Sequence, residues 1–258
     1  MQYALITGAS KGIGKAIATQ LAQRGIHVLL VARSENLLQK LAADIQEEYK
    51  VQAFYLAIDL SKADASKQIF DWCINNKYTV NILVNNAGYG LSGLFGNYSL
   101  DEHQAMMQVN MQVPVQLTHY FLSMLQQQSK AYILNIASSA AYQAVPGLSV
   151  YAATKAFVLN FSRGLQYELR KTSVSVTAVS PGATDTDFPN RAKVSDKALK
   201  TAEKVNMTPN AVAKIAIDAM FARKTEVVAG FINQLGAFLV WLLPKKLAEK
   251  TAANIYNL

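Results

Sequence analysis

The sequence predicts an α/β fold: a doubly wound parallel sheet of about seven strands with helices on both faces. Three observations predict it. Short apolar runs alternate regularly with helix-length stretches, which calls for right-handed crossovers between parallel strands. Some of those runs, such as Val28–Ala32, are apolar at every position, as a strand covered on both faces must be. The first run opens onto glycines and then onto an apolar pattern of helical period.

The elements follow in order. Tyr3–Thr7 is the first strand. Ile13, Ile17 and Leu21, spaced by four, form the apolar face of a helix from 13 to 25 that stops near Gly25. His27–Ala32 is the second strand, and Ser34 caps a helix carrying Leu37, Leu38, Leu41 and Ile45. Ala53–Ile58 is the third strand. Ser61-Lys-Ala-Asp64 reads as a capping box for a helix through Asn76. Asn81–Val84 is the fourth strand. Ser99-Leu-Asp-Glu102 is a second capping box, and its helix runs to about Gln128 with a kink at Pro114. Tyr132–Ile136 is the fifth strand, 151–170 a helix, and Val174–Val179 the sixth strand. Thr208-Pro209 supplies an N-cap and a proline at the first position of a helix to Phe221, and Val227–Ala229 closes the sheet. One domain is expected over residues 1–230, with an apolar extension over 231–258. The irregular stretch Pro181–Met207 is long enough inside a compact domain to be functional.

Composition narrows the function classes. The chain has 258 residues, 51% of them hydrophobic, enough for one sizeable core. Its one cysteine, Cys73, allows no internal disulfide and fits a reducing, cytoplasmic setting. The opening Met-Gln-Tyr-Ala-Leu-Ile has no basic segment followed by an apolar one, so no signal peptide is expected. The net charge is +8, and residues 191–224 carry eight Lys or Arg against three Asp or Glu. That excess predicts one basic face. No zinc-finger spacing, arginine-rich arm or RNA-binding sheet motif accompanies it, so no nucleic-acid partner is expected. His27, His103 and His119 have no spaced partners, and no metal site is expected.

The chemistry concentrates at the ends of the predicted strands. Thr7-Gly-Ala-Ser-Lys-Gly-Ile-Gly14 links the first strand to the first helix. Gly8 permits the tight turn. Gly12 and Gly14 let backbone approach a pyrophosphate and let helix pack close to strand, with Ser10, Lys11 and Ile13 in the same loop. An NAD site wants a carboxylate after the second strand, to bond the ribose 2′-hydroxyl. This chain has Ala32-Arg33-Ser34 there, so Arg33 and Lys11 suit the 2′-phosphate of NADP. Asp59-Leu60 follows the third strand, where a carboxylate accepts from an adenine amino group. Asn85-Asn86-Ala87-Gly88 follows the fourth and would line the cofactor floor. Tyr151 and Lys155 are four apart and share one helix face. An ammonium beside a phenol favours the phenolate and should pull Tyr151 down from about 10. A tyrosine tuned that way gives a proton to a carbonyl oxygen or takes one from an alcohol. Ser138, just after the fifth strand, places a hydroxyl near the same oxygen. Asn110, a poor helix former, is either a polar notch near Lys155 or an exposed residue.

Taken together, these residues resemble a short-chain dehydrogenase/reductase of the short, single-domain type, over residues 3 to about 230. The glycine loop, Asn-Asn-Ala-Gly, Asn110, Ser138, Tyr151, Lys155 and Pro181-Gly182 stand in that family's order and spacing. The resemblance implies a Rossmann-type sheet of seven strands. It implies NADP(H)-dependent hydride transfer between nicotinamide and a carbonyl or secondary alcohol. Tyr151 would then handle the proton, Ser138 would position the oxygen, and Lys155 would lower the Tyr151 pKa and hold the nicotinamide ribose. Asn110 would order a proton-relay water, and Pro181, Gly182 and Thr186 would contact the nicotinamide end. Homodimers or homotetramers through helices near 100–128 and 151–170 are also implied. The rival reading is an NADP-binding regulator of the same fold without turnover; an intact Ser138, Tyr151 and Lys155 set argues against it.

Two segments stand outside that pattern. Lys193, Lys197, Lys200 and Lys204 make a basic stripe beside Val194, Ala198, Ala202 and Val205. On a lid, that stripe favours an acidic or acyl-carrier-linked substrate; on a solvated face, it selects nothing. The tail carries Leu235, Phe238, Leu239, Trp241, Leu242 and Leu243, then Pro244-Lys-Lys. It docks on the substrate pocket, packs in an oligomer, or rests on a membrane surface, with packing ranked ahead of membrane contact.

Overall fold

In the computed structural model, which describes residues 1–186, 192 and 206–256, seven parallel strands form one sheet. They are β1 (Gln2–Thr7), β2 (His27–Ala32), β3 (Ala53–Ala57), β4 (Thr79–Asn85), β5 (Ala131–Ile136), β6 (Val174–Ser180) and β7 (Glu226–Val228). Their order in the sheet is β3-β2-β1-β4-β5-β6-β7. The chain winds outward from β1 to β3, then crosses to β4 and winds the other way. Loops leaving the carboxyl ends of β1 and β4 therefore diverge and open a crevice at that switch point.

The helices are α1 (Gly12–Gln23), α2 (Glu35–Tyr49), α3 (Ala65–Asn75), α4 (Leu100–Met107), α5 (Val113–Gln126), α6 (Ser149–Leu169), α7 (Pro209–Phe221), α8 (Phe231–Leu242) and α9 (Lys245–Ile255). The period-2 alternation of β1 splits the core in two. Ala4 and Ile6 face one cluster with Ile17, Leu21, Leu38, Ile45, Ile217 and Met220 from α1, α2 and α7. Tyr3 and Leu5 face the other, with Ile69, Leu117, Phe121 and Leu169 from α3, α5 and α6. Strands apolar on both faces are thus explained by a helix layer on each side.

Local signals fared unevenly. Ser99 and Glu102 make the reciprocal capping box: Glu102 N donates to Ser99 Oγ, and Ser99 N donates to Glu102 Oε2 at 2.8 Å. Thr208 accepts from Ala211 N, with Pro209 opening α7. The box expected at Ser61–Asp64 does not form. α3 starts at Ala65 with Asp64 as its N-cap, and Ser61 N instead donates to Asp59 Oδ1 at 3.0 Å. Ser34 occupies an N-cap position but makes no side-chain capping bond. Residues 99–128 are not one helix kinked at Pro114 either. A π turn over Gln108–Gln112 separates α4 from α5, and Pro114 sits in the first turn of α5, where it costs little. The extra residue of the π turn carries Asn110 into the interior, 1% exposed.

No helix among the described residues is long and apolar enough to cross a membrane.

Candidate active site

A cleft of about 740 Å³ runs along the carboxyl ends of the strands. Its first end is the turn after β1. Gly8 (φ +67°) and Gly12 (φ +55°) take the left-handed conformation that a side chain disfavours. A Cβ on Gly14 would stand 2.3 Å from the Gly8 carbonyl oxygen and 2.4 Å from Asn86 Nδ2, so only hydrogen fits. Gly14 therefore packs helix against turn and does not line the cleft, whereas Gly8, Ser10, Lys11, Gly12 and Ile13 do. The loop after β4 clamps this turn. Asn86 Nδ2 donates to Thr7 O at 2.9 Å, while the amides of Asn86 and Ala87 donate to Thr7 Oγ1. At the N-terminus of α1, Lys11 makes no side-chain capping bond and the first turn holds no acidic residue. Those amides and the helix dipole suit an anion.

The neighbouring stretch of cleft is lined by Arg33, Ser34, Asp59, Leu60 and Ser61. The Ser61 amide holds the Asp59 carboxyl below its ordinary range, with help from the nearby charges of Arg33 and Lys62. Glu35, the first residue of α2, is not among the lining residues, so the end of β2 presents a cation and a hydroxyl without a carboxylate. Ser34 was read only as a helix cap; its neighbour Arg33 was the signal that marked the position.

At the other end, Ser138, Tyr151 and Lys155 converge with Gly88, Pro181 and Gly182. Ser138 caps a 3₁₀ turn over Ser139–Tyr142, accepting from Ala140 N at 3.1 Å, and its hydroxyl hydrogen-bonds the Tyr151 phenol. Lys155 is buried and donates to the Ile136 carbonyl at 2.9 Å, with its Nζ 5.8 Å from the centre of the Tyr151 ring. The expected lowering of Tyr151 does not hold here. Burial pushes its phenol up to about 12, the Ser138 bond opposes this, and nearby Tyr256 adds to it. Lys155 is directed at a carbonyl, and burial pushes it down to about 8. Desolvation is the leading cause at both groups, and the charge expected to act on the phenol is turned to the Ile136 carbonyl instead.

Asn110 is a buried notch behind this wall and not a lining residue. Its Nδ2 donates to Tyr89 O at 2.9 Å and to Thr154 Oγ1 at 3.0 Å, and its Oδ1 accepts from Tyr89 N. A Cβ on Gly88 would lie 3.1 Å from Lys155 Nζ and 3.2 Å from Asn110 Oδ1, so this glycine lets both polar groups approach from one side. Thr186 lies over the glycine turn, its methyl 3.0 Å from where a Gly12 Cβ would stand. The basic stripe Lys193, Lys197, Lys200 and Lys204 lies outside the described residues, as does most of the expected lid.

Tyr256 was missed by sequence reasoning. It lines the cleft and packs with Tyr89, Leu148, Tyr151 and Ala152. The signal was present: Ala248, Ala252 and Tyr256 recur every four residues, and the two alanines form the buried face of α9. No group of three or more His, Cys, Asp or Glu among the described residues is arranged to hold a metal.

Residues 2–198 match the family described as short chain dehydrogenase. The chain belongs to the short-chain dehydrogenase family. A very-long-chain 3-oxoacyl-CoA reductase of Laccaria bicolor is 38% identical over 67% of this chain, a match spanning 52% of that protein. An oxidoreductase of Staphylococcus epidermidis is 33% identical over 75% of this chain and 85% of its own. Among solved structures, a short-chain dehydrogenase from Sphingobium yanoikuyae in complex with NADPH superposes with a TM-score of 0.82. Its identity is 30%, over 90% of this chain and 88% of that one. This short-chain dehydrogenase is therefore an oxidoreductase of the hydride-transferring kind, with a nicotinamide dinucleotide as the family's partner in that chemistry.

Proposed function

We propose that this enzyme reduces a carbonyl compound with NADPH, or oxidises the matching secondary alcohol with NADP, Tyr151 handling the proton. The observation that carries this reading is one cleft with two chemistries. An anion-binding turn with Lys11 and Arg33 stands at one end, and Ser138, Tyr151 and Lys155 converge at the other. The residues fit the dinucleotide: the hydrogen-only position at Gly14 and the uncapped α1 amides make a cradle for a pyrophosphate.

Bound nicotinamide supplies the hydride. The chain's residues do the rest. Gly8, Ser10, Gly12 and Ile13 carry the phosphates on the α1 amides. Arg33, Ser34 and Lys11 take the 2′-phosphate, and Asp59 and Leu60 meet the adenine. Asn86, Ala87 and Gly88 floor the site, while Pro181, Gly182 and Thr186 hold the nicotinamide end. Lys155, whose Nζ also donates to Ile136 O, would bond the ribose hydroxyls. Ser138 donates to the substrate oxygen, and Tyr151 gives that oxygen its proton. A phenol pushed up to about 12 is protonated at neutral pH, the state that reduction requires. Asn110 is a positioning residue: it ties Tyr89 to α6 and sets its Oδ1 beside Lys155, where a relay water would be ordered.

Leu148, Tyr89 and Tyr256 make the substrate end apolar. Together with the similarity to a 3-oxoacyl-CoA reductase, this favours a ketone on an apolar skeleton, such as a 3-oxoacyl thioester. The test follows NADPH consumption against 3-oxoacyl thioesters, bulky apolar ketones and small polar ketones, with NADH as the second arm. Turnover of the apolar ketones with NADPH is expected. A preference for NADH would overturn the assignment of Arg33, and tight NADPH binding without turnover of any ketone would favour a regulator.

A further inference from the structure

Helix α8 is built the wrong way round for a water-soluble surface. Its less exposed positions are Asn233, Ala237 and Val240, at spacings of four and three. Its outward positions are Phe231 (78% exposed), Phe238 (56%), Trp241 (78%) and Leu242 (63%), with Ile232, Leu235 and Leu239 between them. An ordinary surface helix hides the large apolar side chains and shows the polar ones. The orientation is fixed by packing. Asn233 Nδ2 donates to Ala229 O at 2.7 Å, and the Asn233 amide lies so close to Gly182 that a Cβ there would come within 2.2 Å of it. Rolling the helix over would break that fit.

What covers the face is indicated by charge and length. Lys245, Lys246 and Lys250 are exposed immediately after the apolar helix, and no carboxylate occurs between Glu226 and Glu249. Aromatic rings on the apolar face and lysines at its end are the pattern of a helix lying in a membrane interface. At 12 residues, α8 is far too short to span a bilayer. A second copy of this segment offers only Glu249 against its three lysines, whereas anionic headgroups would neutralise all of them. We propose that α8 is an interfacial helix that seats the enzyme on an anionic lipid bilayer. Its outward face lies among the acyl chains, and Lys245, Lys246 and Lys250 lie at the headgroup phosphates. The inference stands on the surface alone and does not depend on the substrate proposed above.

The test is co-sedimentation of the full-length protein with vesicles of phosphatidylcholine, alone or mixed with phosphatidylglycerol. Binding to the anionic vesicles is expected, weakened by salt, with the emission of Trp241 moving to shorter wavelength; a Trp241→Phe protein removes that shift and separates it from Trp72. Leu235→Glu with Phe238→Glu should lower vesicle affinity by at least about tenfold, because each charge enters the apolar zone. Lys245→Glu with Lys246→Glu should also lower it by about tenfold or more. All these side chains are exposed, so the melting temperature should hold within a few degrees and report folding. Wild-type protein left in the supernatant with both vesicle types would overturn the proposal. So would a dimer that the Leu235→Glu, Phe238→Glu protein dissociates while vesicle binding is unchanged, since the face would then belong to a second copy.

Discussion

Tyr151 and Lys155 show how far a spacing rule reaches. Their separation put both on one face of a helix, and they are there. The same rule anticipated a depressed phenol, and burial reversed it, because a four-residue spacing says nothing about solvent. Lys155 carries a testable consequence. Its ammonium is lowered to about 8 by burial in the cofactor-free protein. NADPH, whose dihydronicotinamide is uncharged, would bring ribose hydroxyls and net negative charge that favour the ammonium, so its pKa should rise on binding and binding should take up a proton. Affinity is then full below about pH 8 and falls above it by at most about tenfold per pH unit. Titration calorimetry of NADPH binding between pH 7 and 10 should show that slope. Lys155→Met should bind more weakly at pH 7 with a flat profile above 8. Asn110 is a subtler case. The sequence left open whether it was a notch or an exposed residue. Only the π turn, which no local pattern announced, turns it inward.

Elements were legible where a signal is local. The capping box at Ser99–Glu102 formed because both partners are within one turn and nothing competes for them. At Ser61–Asp64 the Asp59 carboxylate competes for the Ser61 amide, a tertiary preference the motif cannot display. Ser99→Ala should remove the first box at a cost of about 1 kcal/mol, lowering the melting temperature by about 2–4 °C for a chain this size; calorimetry reads it directly. Helix α9 illustrates the opposite limit. Its alanine stripe was visible, but which wall it would meet was not. Because Tyr256 ends that stripe and closes the substrate end of the cleft, Tyr256→Ala should alter KM for bulky apolar ketones. An effect of about tenfold is the size of one apolar contact. The dissociation constant for NADPH should stay unchanged, since Tyr256 packs with Tyr89, Leu148, Tyr151 and Ala152. A change in both would place Tyr256 in cofactor binding.

At the scale of the molecule, the sheet was readable because its strands are apolar on both faces and the chain alternates strand with helix. Strand order was not legible in the same way, because crossovers fix the hand of each connection and not which strands become neighbours. The sheet then does the work of the site. Reversal of winding at β1 and β4 opens the crevice, and successive loops line it: the glycine turn after β1, Arg33 after β2, Asn86–Gly88 after β4, Ser138 after β5 and Pro181-Gly182 after β6. Residues spread from Gly8 to Thr186 meet for that reason alone. The C-terminal helices were less legible because a period such as Ala248, Ala252 and Tyr256 marks a buried face without saying which wall it meets.

In the proposed reaction Tyr151 passes its proton to the substrate oxygen as hydride is transferred. Single-turnover reduction of a ketone by the NADPH complex measures it most directly, comparing wild type with Tyr151→Phe. The phenyl ring keeps the packing of Leu148 and Tyr256 but has no proton to give. NADPH binding within about twofold of wild type and a hydride-transfer rate lower by about 10²–10⁴-fold are expected. A Tyr151→Phe protein that reduces the ketone at the wild-type rate would contradict it.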